Sequence, residues 1–266
     1  MKVFSSIQAR QAIILLAFLM LFLFRAEGQQ ASETVVKPAL SKGTKHILFA
    51  VAYAGTTFLT YRFLDTKIRN AVQANKSFVA SHFSMAIGHA GLGSSNLIIT
   101  GITGLAGIVE KNKRLQKAVI MLAGSHVIND FITEQFKTTF QRHRPNSGDA
   151  YNRFDGRGGP GINKSFFSAH TSNSFCTATV FAMCYPDKKW IAVAGYSAAA
   201  LVGLSRIYDN AHWASDVLAG AACGYLSARL TGRIYNTAGK RWKFLPAVSN
   251  GHYTANFSFS LERKFS

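Results

Sequence analysis

The stretch Ser205-Arg206-Ile207-Tyr208-Asp209-Asn210-Ala211-His212-Trp213-Ala214-Ser215-Asp216 decides how the chain is read. His212 and Asp216 are four residues apart, a spacing that on a helix stacks two side chains on one face. A carboxylate placed there holds one ring nitrogen of the imidazole and leaves the other free to attack or to carry a proton. Arg206, just upstream, adds a permanent positive charge.

Two earlier stretches supply what this one lacks. Lys137-Thr138-Thr139-Phe140-Gln141-Arg142-His143-Arg144-Pro145 sets Lys137 and Arg144 seven residues apart, two turns of a helix that the proline ends after Arg144. Both cations can then face one anion. Phe167-Ser168-Ala169-His170 puts a hydroxyl, a small-residue backbone and a second imidazole at an expected helix start, where free N–H groups attract phosphate. Together the three stretches describe an oxyanion site with two histidines.

The order Lys-x6-Arg-Pro, then Pro-Ser-Gly-His, then Ser-Arg-x5-His-x3-Asp resembles that of the type 2 phosphatidic acid phosphatase (PAP2) superfamily, which includes bacterial class A acid phosphatases and vanadium haloperoxidases. The first and third motifs match at every specified position. In the middle motif Phe167 stands where the family has Pro and Ala169 where it has Gly, while Ser168 and His170 are kept. The resemblance implies an all-α fold, a bundle of about six helices over residues 45–235. It also implies roles. Lys137, Arg144 and Arg206 bind phosphate oxygens with the Ser168 hydroxyl and the Ala169 backbone; His212 is the nucleophile, oriented by Asp216; His170 protonates the leaving oxygen and then activates water. No cofactor and no metal are implied. The substrate class is a phosphomonoester or diphosphate, either of a membrane lipid or of a small soluble ester. A vanadate-dependent haloperoxidase and a non-catalytic membrane protein are the weaker alternatives.

Composition fits this reading. The 266 residues carry 30 Lys and Arg against 12 Asp and Glu, a net charge of +18, which favours an anionic partner. Nucleic acid ranks lowest among such partners, because the basic residues are scattered through apolar helical stretches and no nucleic-acid module is visible. Cys176, Cys184 and Cys223 are an odd number without metal spacing and read as small buried hydrophobes with free thiols.

Along the chain, residues 1–28 have a basic start, an apolar run from Ala12 to Phe24 and small residues after it, which reads as a secretory signal peptide, with an uncleaved anchor as the rival. Residues 29–44 read as a polar linker, His46–Leu64 as a first apolar segment and Asp65–Lys76 as a polar connection. Phe78–Val109 is long and apolar, with a break expected near Gly91-Leu92-Gly93-Ser94-Ser95. His82 and His89, seven apart, have no matching carboxylate or third ligand nearby and read as ordinary packed or rim histidines rather than metal ligands. Within the next apolar segment His126, Asn129 and Asp130 suit a bundle interior better than a lipid-facing surface. The Gly-rich segment 146–166 reads as a flexible lid bordering the site, with Arg153, Arg157 and Lys164 as contributors. A last core helix is expected from about His212 to Leu230, followed by a basic, loop-like stretch 232–243. Residues 236–266 form a tail with a short strand or hairpin partner in its alternating Tyr253, Ala255, Phe257 and Phe259.

Basic residues at 111–117, 188–189 and 233–243 fall on the side opposite the motifs, a positive-inside pattern that puts the site of a bacterial envelope protein on the periplasmic face. The sequence leaves open whether the chain is integral, peripheral or soluble, and which oligomer it forms.

Overall fold

The computed structural model describes residues 42–249 and 252–259. The expected signal peptide and most of the linker lie outside the described residues. Helix α1 (Lys42–Leu59) passes through a single π turn, Thr60–Leu64, into α2 (Asp65–Ala74) without a break. The stretch Asp65–Lys76 is therefore helix rather than connection. Its polar residues serve the rim of the site: Arg69 Nε donates to Asn210 Oδ1 at 3.1 Å and Gln73 Nε2 to Tyr208 O at 3.2 Å.

Ser77 caps α3 (Phe78–His89) by accepting from Ala80 N, as short hydroxyl side chains do at helix starts. The break expected near Gly91 separates α3 from α4 (Gly93–Val109), and the two are bent by 57°. Asn112 caps α5 (Lys113–Phe140) through Oδ1, which accepts from the N–H groups of Arg114 and Leu115. Helix α6 (Ala169–Cys184), α7 (Lys189–Tyr208) and α8 (Ala214–Arg241) complete the bundle. Counting the α1–α2 run and the bent α3–α4 pair as one rod each, the described residues form six helical rods, as expected.

Three boundaries differ from the sequence reading. Helix α5 stops at Phe140 rather than Arg144, because Gln141 turns left-handed at φ 45° and Pro145 holds Arg144 extended. Helix α8 starts two residues after His212 and runs on to Arg241 instead of ending at Leu230. Its last turns pack on neighbours: Gly232 meets Met121 and Met183, and Lys117 lies over the Tyr235 ring. Beyond it, β1 (Trp242–Ser249) pairs antiparallel with β2 (His252–Phe259), Trp242 opposite Phe259. The alternation in 253–259 is thus one arm of a hairpin, and its other arm begins at Trp242, inside the stretch 232–243 expected to be loop-like.

Helix α6 is the central rod, packed on α5, α7 and α8. Its core with α5 and α8 is Ala118, Met121, Leu122, Cys176, Val180, Cys184 and Ala228. A second cluster of Phe136, Phe140, Phe167, Ala219 and Cys223 lies under the motif end. All three cysteines are buried and free. Asn129 is fully buried and bonds Ser172 and Asn173 across to α6, and His126 bonds Thr177 there, while Asp130 is exposed.

Apolar side chains also cover the outside. Phe49, Phe58, Ile98, Ile108, Val127 and Val193 are among the exposed large hydrophobics, the pattern of a lipid-facing belt. Ile47–Ala74 and Lys189–Tyr208 are each long and apolar enough to cross a membrane, and the bent α3–α4 pair makes a third span if counted as one.

The α6–α8 crossing rests on backbone contact. A Cβ added at Gly224 would lie 1.9 Å from Ser172 O, whereas one added at Gly55 would meet nothing within 4 Å. Gly224→Ala is expected to cost about 1–3 kcal/mol through forced separation of the two helices, and Gly55→Ala to be neutral or slightly stabilising. Thermal unfolding followed by circular dichroism checks the pair; equal melting of both variants contradicts the close crossing.

Candidate active site

All three motifs meet at one end of the bundle. Lys137 is in the last turn of α5, Arg144 in the extended segment after it, Ser168 and His170 at the start of α6, Arg206 in the last turn of α7, and His212 in the turn before α8. At the opposite end, Arg114 of α5 pairs with Asp187 before α7.

The best-buried cation of this end is none of the expected ones. Arg142, 1% exposed, sits between two carboxylates, with Nη2 on Asp65 Oδ2 at 2.7 Å and Nη1 on Asp216 Oδ1 at 2.5 Å. Its other bonds run from Nη1 to Ser215 Oγ and from Nε and Nη2 to the carbonyl of Tyr151. The guanidinium has five N–H donors, and all five are used. Rings of Tyr61, Trp213 and Phe154 surround it at 5.1, 5.4 and 5.5 Å. Asp65 reaches the same cluster by accepting from Ser215 N at 2.9 Å and Ser215 Oγ at 2.6 Å.

This changes the part Asp216 plays. The helical stacking expected of His212 and Asp216 does not occur, since His212 precedes the helix, and Asp216 Oδ2 is 3.8 Å from Nδ1. The partner of Nδ1 is the carbonyl oxygen of Ser165, at 2.8 Å. A carbonyl only accepts, so Nδ1 carries the proton and Nε2 keeps its lone pair. Asp216 acts one residue removed: Oδ2 accepts from Ser165 Oγ at 2.6 Å and from Trp213 N at 3.0 Å, fixing both chain segments that flank the imidazole. Burial pushes the Asp216 carboxyl up, but the Arg142 and His212 charges and the Ser165 bond bring it down to about 2.

The two histidines sit among the expected cations. His170 is lowered to about 4, first by burial and then by the positive fields of Arg206, His212, Lys137 and Arg144. His212 is lowered by burial, opposed by Asp216 and reinforced by Arg144 and Lys137. Ser168, fully buried, caps α6: its Oγ accepts from Thr171 Oγ1 at 2.9 Å and from Thr171 N at 3.4 Å. Its own N–H donates to Asp216 O. Ala169 is the first helical residue, where its N–H lies among the free donors of the helix start.

The segment 146–166 is pinned rather than loose. Gln141 bonds Gly156 O and Gly161 N, and His143 bridges Asp149 Oδ2 at 2.6 Å and Asp155 Oδ1 at 3.0 Å. Lys164 is held by Glu134. His82 and His89 each bond the carbonyl four residues back. Among the described residues no group of three or more His, Cys, Asp or Glu could hold a metal ion.

Residues 118–240, helices α5 to α8 up to the last turn, match the model of the PAP2 superfamily. This stretch, a little under half of the chain, is similar to the PAP2 superfamily. Among curated relatives, the lipid A 1-phosphatase of Porphyromonas gingivalis is 49% identical over 67 residues, 25% of this chain and 15% of that one. The lipid A 4'-phosphatase of the same organism is 27% identical over 140 residues, 49% of this chain and 58% of that one. The chain thus spans less than two thirds of the length of either relative. Among solved structures, Aquifex aeolicus LpxE superposes with a TM-score of 0.51 at 20% identity, covering 64% of this chain and 95% of that one. A transmembrane PAP2-type phosphatidylglycerolphosphate phosphatase from Bacillus subtilis gives 0.50 at 19% identity, covering 85% and 96%. Both show the fold.

Removing the Arg142 charge leaves two buried carboxylates unpaired. Arg142→Met is expected to destabilise the PAP2 fold by about 3–5 kcal/mol, read as a fall in the thermal midpoint; a variant that melts with the parent contradicts the central place given to this pair. Asp216 has its folded value below its unfolded one, so its contribution is complete above pH about 4 and is lost as pH falls toward about 2. An acid-unfolding transition that Asp216→Asn leaves in place contradicts that assignment.

Proposed function

We propose that this protein is a metal-independent phosphatase that hydrolyses a phosphomonoester or diphosphate of a membrane lipid through a phosphohistidine. The observation that carries the reading is the His212 tautomer: with Nδ1–H bonded to Ser165 O, the Nε2 lone pair is free beside Lys137 and Arg144. Nε2 attacks phosphorus as the bond to the leaving oxygen breaks, and His170 gives that oxygen a proton. Water then attacks phosphorus, the P–N bond breaks and the water's proton returns to His170. Lys137, Arg144 and Arg206 hold the phosphoryl oxygens, aided by the Ser168 hydroxyl and the Ala169 N–H, and supply the charge stabilisation that metal ions give elsewhere.

A lipid substrate is supported by the apolar belt and by a cavity of about 600 Å³ between the α3–α4 pair, α6 and α7, lined by Ile87, Ala90, Phe181, Trp190 and Val202. Lipid A, which the curated relatives' names carry, is the first substrate to try. Basic residues at the far end, such as Lys113, Arg114, Lys117 and Lys188, suit a cytoplasmic face, with the site toward the periplasm.

The purified full chain is expected to release phosphate from one of lipid A, phosphatidate, phosphatidylglycerol phosphate or a prenyl diphosphate faster than from soluble esters; activity confined to soluble esters sinks the lipid assignment. His212→Ala is expected to lose about a thousandfold or more on every substrate and to form no acid-labile phosphoprotein. His170→Ala is expected to lose far more on an alkyl phosphate, whose leaving oxygen needs a proton, than on a nitrophenyl phosphate, which leaves unaided; equal losses contradict the proton-donor role.

Burial and the surrounding cations bring His170 down to about 4, so a bound dianion is expected to raise it and draw in a proton. Sulfate binding near pH 5.5, measured by calorimetry in two buffers of different ionisation enthalpy, is expected to take up protons in the parent and fewer in His170→Ala. Equal uptake in both places the proton on another group.

A further inference from the structure

Arg206 is held by Ser205 of its own motif and by Asp209, a position that the motif leaves unspecified. Its Nη2 donates to Asp209 Oδ2 at 2.6 Å, and its Nε to Ser205 Oγ at 3.1 Å. The other oxygen of Asp209, Oδ1, accepts from Ser84 Oγ at 2.7 Å. Ser84 is buried in α3, and its single hydroxyl proton is directed mainly at that carboxylate, with Ser205 O more distant at 3.1 Å. One turn further along α3 comes Gly88, where an added Cβ would lie 1.6 Å from Arg206 Nη2. Positions four apart on a helix share a face. Helix α3 therefore turns a hydroxyl and a bare patch of backbone toward the same guanidinium, and it does so from outside the family-matched residues.

We propose that Asp209 is a positioning residue, oriented by Ser84 and given room by Gly88, that fixes the Arg206 guanidinium so that Nη1 meets the substrate phosphate. Among the described residues Nη1 has no hydrogen-bond partner, while Nε and Nη2 are both engaged. A long side chain that is already ordered loses less freedom when it grips an anion. The proposal rests on the phosphatase reading for the identity of that anion.

The sign of the effect separates positioning from charge. A carboxylate beside an anion cradle repels the anion, so if Asp209 acted only as a charge, removing it would tighten anion binding. Positioning gives the opposite result for Asp209→Ala. Asp209→Asn separates the two, because its amide oxygen still accepts from Nη2 while the charge is gone.

The test is inorganic vanadate affinity by calorimetry on the purified full chain, together with kcat and KM on nitrophenyl phosphate. Asp209→Ala is expected to bind vanadate about tenfold more weakly and to raise KM, whereas Asp209→Asn binds as tightly as the parent or more tightly. Asp209→Ala in an Arg206→Ala background is expected to change affinity no further. Asp209→Ala binding as tightly as Asp209→Asn overturns positioning and leaves the phosphatase reading standing. A parent that binds vanadate but turns over no phosphoester sinks that reading, while the same affinity comparison still decides the positioning role. A parent that binds no vanadate overturns both. If Asp209→Ala loses its helical circular dichroism, Ser84→Ala takes its place: weaker vanadate binding supports the device, and unchanged binding overturns it.

Discussion

A fully buried arginine between two buried carboxylates holds this end of the bundle in one arrangement. Burying Arg142 is costly unless its geometry is complete, and here every N–H has an acceptor and three aromatic rings close round the guanidinium. The acceptors come from α2, from the 146–166 segment and from the first turn of α8. One side chain thus joins three parts of the chain that share no local reason to meet. The imidazole of His212 depends on that junction, because the carboxylate that Arg142 holds is the one that fixes Ser165 and Trp213 on either side of it.

The bundle has two different surfaces. Its long sides are apolar, and its interior at the α6–α8 crossing is backbone against backbone, with Gly220 and Gly224 where larger residues would hold the helices apart. Its motif end is polar, buried and cationic. Helices that run to this end deliver their terminal groups rather than their faces: a last-turn lysine from α5, the free N–H groups of α6 and a last-turn arginine from α7. Free donors and fixed cations at helix ends suit an anion without any reorganisation at the moment of binding.

Much of this was legible in the sequence, and the exceptions have physical reasons. The three motifs, the break near Gly91 and the buried cysteines followed from residue type and spacing, and the number of helical rods from the family resemblance that the motifs carry. Arg142 lies inside a quoted motif but carries no sign of its role there, because its partners, Asp65 and Asp216, lie far away along the chain. Asp65 looked like the start of a polar connection, since burial of an acid shows only when its cation is known. The His212–Asp216 spacing suggested direct contact, but the rule holds within a helix and α8 begins after His212. Gly88 gave no signal at all, as its need for a missing side chain is set by a guanidinium on another helix. The stop of α5 at Phe140 was hidden because Gln141, not a glycine, adopts the left-handed turn.

The wide turn at Thr60–Leu64 has a consequence for how such chains can vary in length. In that turn the N–H of Asp65 bonds the carbonyl of Thr60, five residues back rather than four. Each residue of a regular helix turns the chain by about 100°, but the wide turn takes up its extra residue in about one turn, so the helix after it keeps roughly the phase of the helix before it. Deleting one position there would restore a regular helix and leave Asp65 facing roughly toward Arg142, whereas deleting one from the regular helix on either side would swing Asp65 by about 100°. Residue counts upstream of the helix are free to drift, and so are those of a surface loop. Between the apolar span and Asp65 the count can change by one residue through this turn, while relatives that keep the acid–arginine–acid pairing must keep the phase of the helix that carries Asp65.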